Sequence, residues 1–251
     1  MMKLSRKQLE AFVNTVDALV PECRLMITPD GWNTIAVDAA NVAMVSASMP
    51  ATLFEAFDGE TKTEIGMDVP KWKNMLTVMR DPDAIITISR PDGEGSGKLN
   101  VSDGKYTYTI TLLDPNTVRK RPAPPTLTLP AAIAVDAKEL QEAIKAMGVI
   151  SDKVRFTASK AGGLVLDAEG ETDRLDKGME LDIAQVAKLP EQPVSSLFSL
   201  DYLTDISRAM KGTGRPVLHL GTDYPIRFDF EIEGIEASYL VAPRIDQGDA
   251  A

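Results

Sequence analysis

The chain has 251 residues, of which 44% are hydrophobic and 25% are charged, as is ordinary for a globular protein of one or two domains. Its net charge of -10 argues against a simple basic nucleic-acid binder, and its single cysteine excludes an internal disulfide framework. It contains no apolar run of about 18 residues and no charged-then-apolar leader, so we expect an intracellular protein with neither a membrane span nor a secretory signal.

The first half of the chain alternates between helical and strand patterns. Apolar residues recur at helical spacing over 5–20, where Ser5 is a candidate N-cap, and again over 69–80. The strands predicted from alternating apolar and polar residues cover 24–28, 32–37, 41–49, 84–89 and a hairpin over 98–113 that turns at Asp103 and Gly104.

A proline-rich stretch at 112–130 separates the two halves. Its five prolines, at 115, 122, 124, 125 and 130, remove amide donors and fix φ, which excludes an interior strand or a helix. The stretch is therefore predicted to be an extended, semi-rigid connector. We expect a two-domain chain, with a first domain at 1–113, a linker at 114–130 and a second domain at 131–251.

The second half repeats the order of elements found in the first. Helical spacing recurs over 136–148 and 201–211. Adding 131 to a residue number carries apolar positions of the first half, such as Met79, onto apolar positions of the second, such as Met210. We therefore expect an α+β fold built from a duplicated unit, each copy with two helices on one face of an antiparallel sheet. The strands predicted for this half cover 154–159, 163–170, 178–183, 217–221, 226–232 and 236–243.

Residues suited to catalysis or metal binding do not cluster in the sequence. The glycine-rich 93–97 joins two predicted strands and lacks the lysine, hydroxyl residue and helix of a phosphate-binding loop. Cys23 has no histidine near it in sequence, and the single histidine, His219, occupies an alternating strand position. We expect no enzyme activity, metal site or cofactor, while the scattered carboxylates leave a two-acid hydrolase open as an alternative.

The predicted helices are the least acidic part of the chain. Together they carry nine basic and seven acidic residues, a net of about +2, which leaves about -12 for everything else. If the polar faces of these helices line one wall, that wall can face phosphates while the rest of the surface repels them. Charge alone does not distinguish this arrangement from ordinary solvated helix faces.

Four short motifs are more specific, and the Leu-Asp-Pro at 113–115 accompanies them. They are VDAANVAMV at 37–45, FSLDYL at 198–203, TDYPI at 222–226 and YLVAPRI at 239–245. In sequence and spacing they resemble the proliferating cell nuclear antigen (PCNA) family, the sliding clamps of archaeal and eukaryotic replication, and the linker fits the archaeal form. The resemblance covers essentially the whole chain.

The resemblance implies a DNA-clamp fold that assembles into a closed ring of three identical subunits. The helices would line a hole wide enough for duplex DNA, which is encircled without sequence preference. The protein would be a processivity factor without catalytic activity or a cofactor. It would tether DNA polymerase, flap endonuclease and DNA ligase through short peptide motifs and would need a clamp loader to open it. A ring held by topology explains how a protein of charge -10 associates with DNA.

The resemblance also assigns residues to three surfaces. The candidates for facing DNA are Lys73, Arg80, Lys145, Arg208 and Lys211. The candidates for the partner-peptide pocket, expected between the domains beneath the linker, are Val37, Asn41, Val42, Val118, Pro122, Pro124, Pro225, Leu240, Val241, Ala242, Pro243 and Ile245. The candidates for subunit contacts, on one strand of each domain, are Tyr106, Tyr108, Ile110, Leu112, Arg174, Lys177 and Met179.

Two features leave alternatives open. The first helix carries Glu10, Ala11 and Asp17 where eukaryotic members of the family have lysines, which reduces its expected attraction for DNA. A subunit of a heterotrimeric ring would share the same motifs. Self-association distinguishes that alternative, because such a subunit trimerises only with its paralogues.

Overall fold

The computed structural model describes residues 1–59, 62–91, 97–181 and 186–244. The chain forms two compact units, each with two α-helices and antiparallel strands. Unit 1 comprises Met1–Ala39, Met44–Pro124 and Glu231–Ala237. Unit 2 comprises Ala40–Ala43, Pro125–Phe230 and the described residues from Ser238 onwards.

Unit 1 holds the first eight strands and the first two helices. These elements are β1 (Met2–Ser5), α1 (Arg6–Asp17), β2 (Glu22–Thr28), β3 (Gly31–Val37), β4 (Ala43–Pro50), β5 (Thr63–Asp68), α2 (Val69–Val78), β6 (Ile85–Ser89), β7 (Lys98–Ser102) and β8 (Thr107–Thr111), with a 3-10 turn at Ala51–Leu53. The strands form one sheet in the order β1-β6-β7-β8 and a sheet segment in the order β5-β2-β3-β4.

Both helices of unit 1 begin where a side chain caps the first backbone amides. Ser5 and Gln8 form a reciprocal capping box at the start of α1, as the serine at this position predicts. Asp68 accepts a hydrogen bond from the Lys71 amide at the start of α2, where Pro70 lies in the first turn. These caps satisfy amides that have no partner within the helix, so the local sequence determines where each helix begins.

The core of unit 1 centres on Trp32 of β3. Its ring meets Phe12 of α1 at 5.9 Å and Trp72 of α2 at 6.2 Å, both edge to face. All three rings are fully buried. Aromatic pairs in this geometry contribute about 0.5–1.5 kcal/mol each beyond the area that they bury. They hold both helices against the same face of the sheet, which leaves the opposite helix faces exposed.

Unit 2 holds the remaining strands and helices. They are β9 (Ala131–Ala134), α3 (Ala137–Met147), β10 (Lys153–Ser159), β11 (Gly163–Glu169), β12 (Arg174–Gly178), β13 (Val186–Lys188), β14 (Val194–Ser199), α4 (Leu200–Ala209), β15 (Val217–Leu220), β16 (Ile226–Ile232) and β17 (Ile235–Val241), the last two of which are shared with unit 1. Their order is β12-β11-β10-β14 in one sheet and β13-β9-β15-β16-β17 in a second segment.

Helices α3 and α4 pack against the unit 2 sheets through one apolar stripe each. Leu140 and Ile144 of α3 and Leu203 and Ile206 of α4 are buried. Asp136 caps α3 by accepting hydrogen bonds from two amides, both at 2.9 Å. The duplicated α+β architecture predicted from the sequence is therefore confirmed, with two helices per unit.

The predicted secondary structure differs from the observed one mainly at strands. The strand predicted at 178–183 was wrong over 179–181, because the strand of this region is β12 at Arg174–Gly178, and 182–183 lie outside the described residues. The sequence pattern does not predict β12 because its residues, RLDKG, include a single large apolar side chain and so show no apolar alternation. The strands that no sequence pattern predicted are β1, β5, β9, β13 and β14.

Candidate nucleic-acid interface and docking surfaces

The cations of α1 and α2 are largely paired with carboxylates of unit 1. Lys73 forms an ion pair with Asp17, and Lys7 one with Asp83 at 2.8 Å. The Asp83 hydrogen bond raises the pKa of Lys7. Arg80 differs, because its Nε donates to a backbone carbonyl at 3.2 Å and its side chain is exposed. The outer faces of these helices therefore offer little unneutralised positive charge.

The cations of α3 and α4 are less neutralised. Lys145 and Lys211 are exposed, and no carboxylate of the described residues pairs with either of them. Arg208 forms an exposed i,i+3 pair with Asp205 at 2.9 Å, an interaction that water screens strongly. The cations that are most available individually therefore belong to unit 2, although the stretches 136–148 and 201–211 together carry five acidic and four basic residues.

A groove of about 630 Å³ runs between α3 and α4 in unit 2. Lys145 lies on one wall and Arg208 on the other, and Glu142 also lines the groove. Thr204 contributes a hydroxyl, whereas the Ser207 hydroxyl donates to the Thr204 carbonyl at 3.0 Å. The groove therefore brings together two of the five predicted DNA-facing residues, whose positive charges suit a phosphate diester.

Strand β14 holds two loops of unit 2 side by side. Its Ser195 carbonyl accepts a hydrogen bond from the Asp223 amide at 3.3 Å. Its Leu197 carbonyl accepts one from the Arg244 amide at 2.7 Å, and the Ala242 amide donates to the Val42 carbonyl at 2.8 Å. Residues two apart on a strand direct their carbonyls to the same edge. The turn at 222–225, the tail at 242–244 and the segment at 40–43 therefore meet on one surface of unit 2.

The pocket candidates differ in how much surface they present. Val241 is fully buried and Val118 is 3% exposed, so neither side chain presents surface to a partner. Asn41 and Pro124 are exposed, and Ile245 lies outside the described residues. The half-buried candidates are Val37, Val42, Pro122, Pro225, Leu240, Ala242 and Pro243.

Each unit has one sheet edge formed by a strand that carries subunit-contact candidates. β8 is the last strand of its sheet in unit 1, and β12 is the last strand of its sheet in unit 2. Tyr106, in the turn before β8, is 56% exposed and Tyr108 is 41% exposed, whereas Ile110 is buried in its own sheet. Leu112, after the strand, is half-buried. Exposed aromatic side chains on a strand edge are typical of a surface that another chain covers.

The register of β8 shows which backbone groups face outwards. The Leu112 amide donates to the Gly97 carbonyl at 2.8 Å, and Leu99 lies opposite Ile110. Hydrogen-bonded and non-bonded pairs alternate in an antiparallel ladder, so the even-numbered residues exchange bonds with β7. Thr107, Thr109 and Thr111 therefore direct their amides and carbonyls to the open edge.

The charged side chains of β12 pair within unit 2. Arg174 binds Asp176 at 3.0 Å, and Lys177 binds Glu139 of α3 at 2.7 Å. The Glu139 hydrogen bond raises the pKa of Lys177. Met179, just past the strand, is 7% exposed. The side chains are thus held in place beside an edge whose backbone is open.

Family models match both halves of the chain. The proliferating cell nuclear antigen N-terminal domain matches residues 3–110, and the C-terminal domain matches residues 125–245. The chain belongs to the PCNA family. The DNA polymerase sliding clamp of Methanoregula boonei is 40% identical over 237 residues, which cover 93% of this chain and 94% of the relative.

Solved PCNA structures have the same fold. The structure of A. fulgidus PCNA bound to the C-terminal region of FEN-1 is 31% identical to this chain, with a TM-score of 0.88 and coverage of 98% and 100% of the two chains. PCNA from Thermococcus kodakaraensis has a TM-score of 0.85 at 22% identity, with 97% and 100% coverage, and shows the fold alone. The predicted clamp fold is therefore confirmed.

Cys23 is a buried core residue, and burial raises the pKa of its thiol to about 11. Within the described ranges, no group of three or more His, Cys, Asp or Glu side chains is arranged to hold a metal ion. None of the helices described is both long enough and apolar enough to cross a membrane.

The structure also shows two residues that sequence reasoning missed. The Arg24 guanidinium donates twice to the Val118 carbonyl, at 3.0 and 2.9 Å, and so ties the linker to unit 1. No local signal identifies such a contact, because 94 residues separate the partners. Tyr224 is 55% exposed beside Pro225. The sequence did contain a signal for it, because Tyr224 directly precedes a pocket candidate within the TDYPI motif.

Proposed function

We propose that this PCNA-family protein is a DNA sliding clamp and polymerase processivity factor. Three copies would close into a ring around duplex DNA inside the cell, with the helices towards the DNA. The match of both halves of the chain to the two PCNA domains carries the proposal. The exposed Arg80 and Lys145, together with the groove between α3 and α4, support the choice of the DNA-facing side.

We propose that each ring contact joins β8 of one subunit to β12 of the next. Both strands end their sheets, and β8 directs three amides outwards. A head-to-tail contact pairs these backbone groups and buries the exposed tyrosines. A closed ring would pair both of these edges in every subunit, whereas an isolated subunit leaves both open.

We propose that partner proteins dock through a short peptide motif on the surface formed by 40–43, 222–225 and 242–244. Such a motif has a glutamine followed by an aliphatic and two aromatic residues. Two of these segments bond to β14 and the third bonds to Ala242, and this convergence supports the location. The partners would be DNA polymerase, flap endonuclease and DNA ligase.

We propose that the chain divides into a first domain at 1–113, a linker at 114–130 and a second domain at 131–251.

The clamp would act without catalysis or a bound cofactor, because retention on DNA depends on topology. A clamp loader is then required to open the ring, since the chain has no nucleotide-hydrolysing loop of its own. The processivity of the polymerase would come from a raised effective concentration at the primer end.

The experiment that tests this function compares circular and linear DNA. We expect a solution mass near three times 27.2 kDa and, after loading by a clamp loader, a complex that persists on nicked circular DNA. Cutting the circle should release the protein, because a ring slides off a free end. A monomeric mass, or equal retention on both DNA forms, would contradict the ring.

A further inference from the structure

The linker contains three consecutive cations, Arg119, Lys120 and Arg121, in a chain whose net charge is -10. The Arg119 guanidinium is engaged, because its Nη1 donates to the Asp38 carbonyl at 2.8 Å. Lys120 is exposed and Arg121 is half-buried. Across the part of the chain that the structure describes, neither of these two has a carboxylate partner. These two cations, which have no counterion among the described residues, are therefore available to a binding partner.

The linker presents these cations at a defined place on unit 1. Val118 is buried, and its carbonyl accepts both bonds from the Arg24 guanidinium. Arg24 is itself largely buried and lies 3.5 Å from Glu64. With Arg119 bound to the Asp38 carbonyl, both residues that precede Lys120 are anchored to the sheet. Ordering Lys120 and Arg121 for binding therefore costs less entropy than ordering a free loop would.

The anchored linker lies on the sheet face opposite the helices. Trp32, which packs against both helices, stands opposite Ile27 in register, so Ile27 of β2 faces the helices. Alternate residues of a strand point to opposite faces, which places Arg24 on the other side. The cations therefore lie away from the face proposed to meet DNA, and a protein segment is the partner that fits them.

We propose that Lys120 and Arg121 bind acidic residues that flank the docking motif of partner peptides. This inference rests on the proposed docking function, since Pro122, the next residue, is one of the pocket candidates. Carboxylates placed before or after the motif would pair with the two cations and steer the encounter. The clamp would then select among partners by the charge of their flanks, while the apolar motif supplies most of the affinity.

The test measures binding of two synthetic peptides to the assembled full-length protein. Both carry the docking motif, one flanked by Asp and Glu and the other by Asn and Gln at the same positions. We expect the wild type to prefer the acidic peptide by about three- to tenfold at low salt, with the preference reduced at about 1 M salt. The double variant K120E/R121E should lose this preference and bind the neutral peptide as the wild type does.

Two control variants separate a specific role of Lys120 and Arg121 in the peptide preference from a general effect of net charge and from loss of the docking surface. K62E/K160E makes the same change in net charge at two other exposed lysines and should keep the preference. A242R should remove binding of both peptides, and its failure to do so would overturn the docking surface while leaving the charge preference intact. An unchanged preference in K120E/R121E would overturn this inference alone. Loss of DNA retention without any change in peptide preference would also overturn it, because the cations would then serve nucleic acid.

Discussion

At the scale of single residues, Asp229 of β16 binds three side chains on three neighbouring strands of unit 2. It accepts hydrogen bonds from His219, Arg227 and Ser238, with the His219 Nε2 at 3.0 Å. Burial by itself raises the pKa of Asp229, but the three hydrogen bonds and the Arg227 charge outweigh it and hold the pKa below 3.8. The only histidine of the chain is therefore a strand residue that pairs with a carboxylate, as its sequence position predicts.

This pKa shift gives a stability prediction with a definite sign. Since the folded-state pKa of Asp229 lies below the unfolded value of 3.8, its carboxylate stabilises the fold above that pH, and the contribution is lost as the pH falls through the folded-state pKa. We expect D229N to lower the free energy of unfolding by about 1–2 kcal/mol at pH 7, with a smaller difference near pH 3. Urea denaturation at matched protein concentration measures both values.

The matched control for this prediction is D223N. It removes the same charge at an exposed turn residue with φ of 56°, a conformation that asparagine adopts as readily as aspartate. The control should be nearly neutral. A D229N protein as stable as D223N at neutral pH would mean that the three hydrogen bonds do not compensate for burying the carboxylate.

At the scale of elements, the four helices repeat in structure but not in electrostatics. In unit 1 the carboxylates of Asp17 and Asp83 neutralise two of the helix lysines. In unit 2, Lys145 and Lys211 have no carboxylate partner among the residues described. Duplication preserved the apolar stripes, because both helix pairs must bury them. The charges on the outer faces were free to diverge.

We therefore expect the two units to contribute unequally to DNA retention. K145E should reduce loading on nicked circular DNA by an amount on the order of tenfold, and K73E by less, since Asp17 already neutralises Lys73. The triple variant R80E/K145E/R208E should be the most impaired while its peptide binding stays normal. Loading assays at several salt concentrations measure the effect. Equal losses from K145E and K73E would contradict the asymmetry.

At the scale of the whole molecule, the ring reconciles an acidic protein with a DNA-bound function. A chain of net charge -10 gains little from non-specific phosphate contacts, and tight contacts would oppose sliding. In the proposed ring, contacts between strand edges would hold the protein on DNA without them. A heterotrimeric ring would use the same edges, so it would differ from the homotrimer in whether β8 and β12 of identical chains are complementary.

The register of β8 supplies a test of that closure. T109P removes an outward amide while leaving the even-numbered bonds to β7 intact, and proline is tolerated on an edge strand. We expect its solution mass to fall from about three times 27.2 kDa towards the single-chain value, with an unchanged circular dichroism spectrum. T109V, which keeps the amide, should remain trimeric. A T109P protein that is still trimeric would exclude this edge from the contact.

The sequence alone determined the duplicated architecture and the family. Helical periodicity placed all four helices to within three residues at each end, and Ser5 and Asp68 cap the first two through local contacts. Strands such as β1, β9 and β14 were missed, because they are short or have polar sequences and form through pairing with distant strands.

Only the tertiary structure decided which of the predicted site residues are available. Val118, Val241 and Ile110 are candidates for the pocket or the subunit contact, yet all three are buried within their own units. The sequence pattern predicts both Lys73 and Lys145 as helix lysines. Of the two, only Lys73 pairs with an aspartate, which a different helix supplies. The physical reason is the same in each case. The spacing of apolar residues in the sequence reflects local helix and strand preferences, whereas burial and charge pairing depend on contacts between residues far apart in the chain.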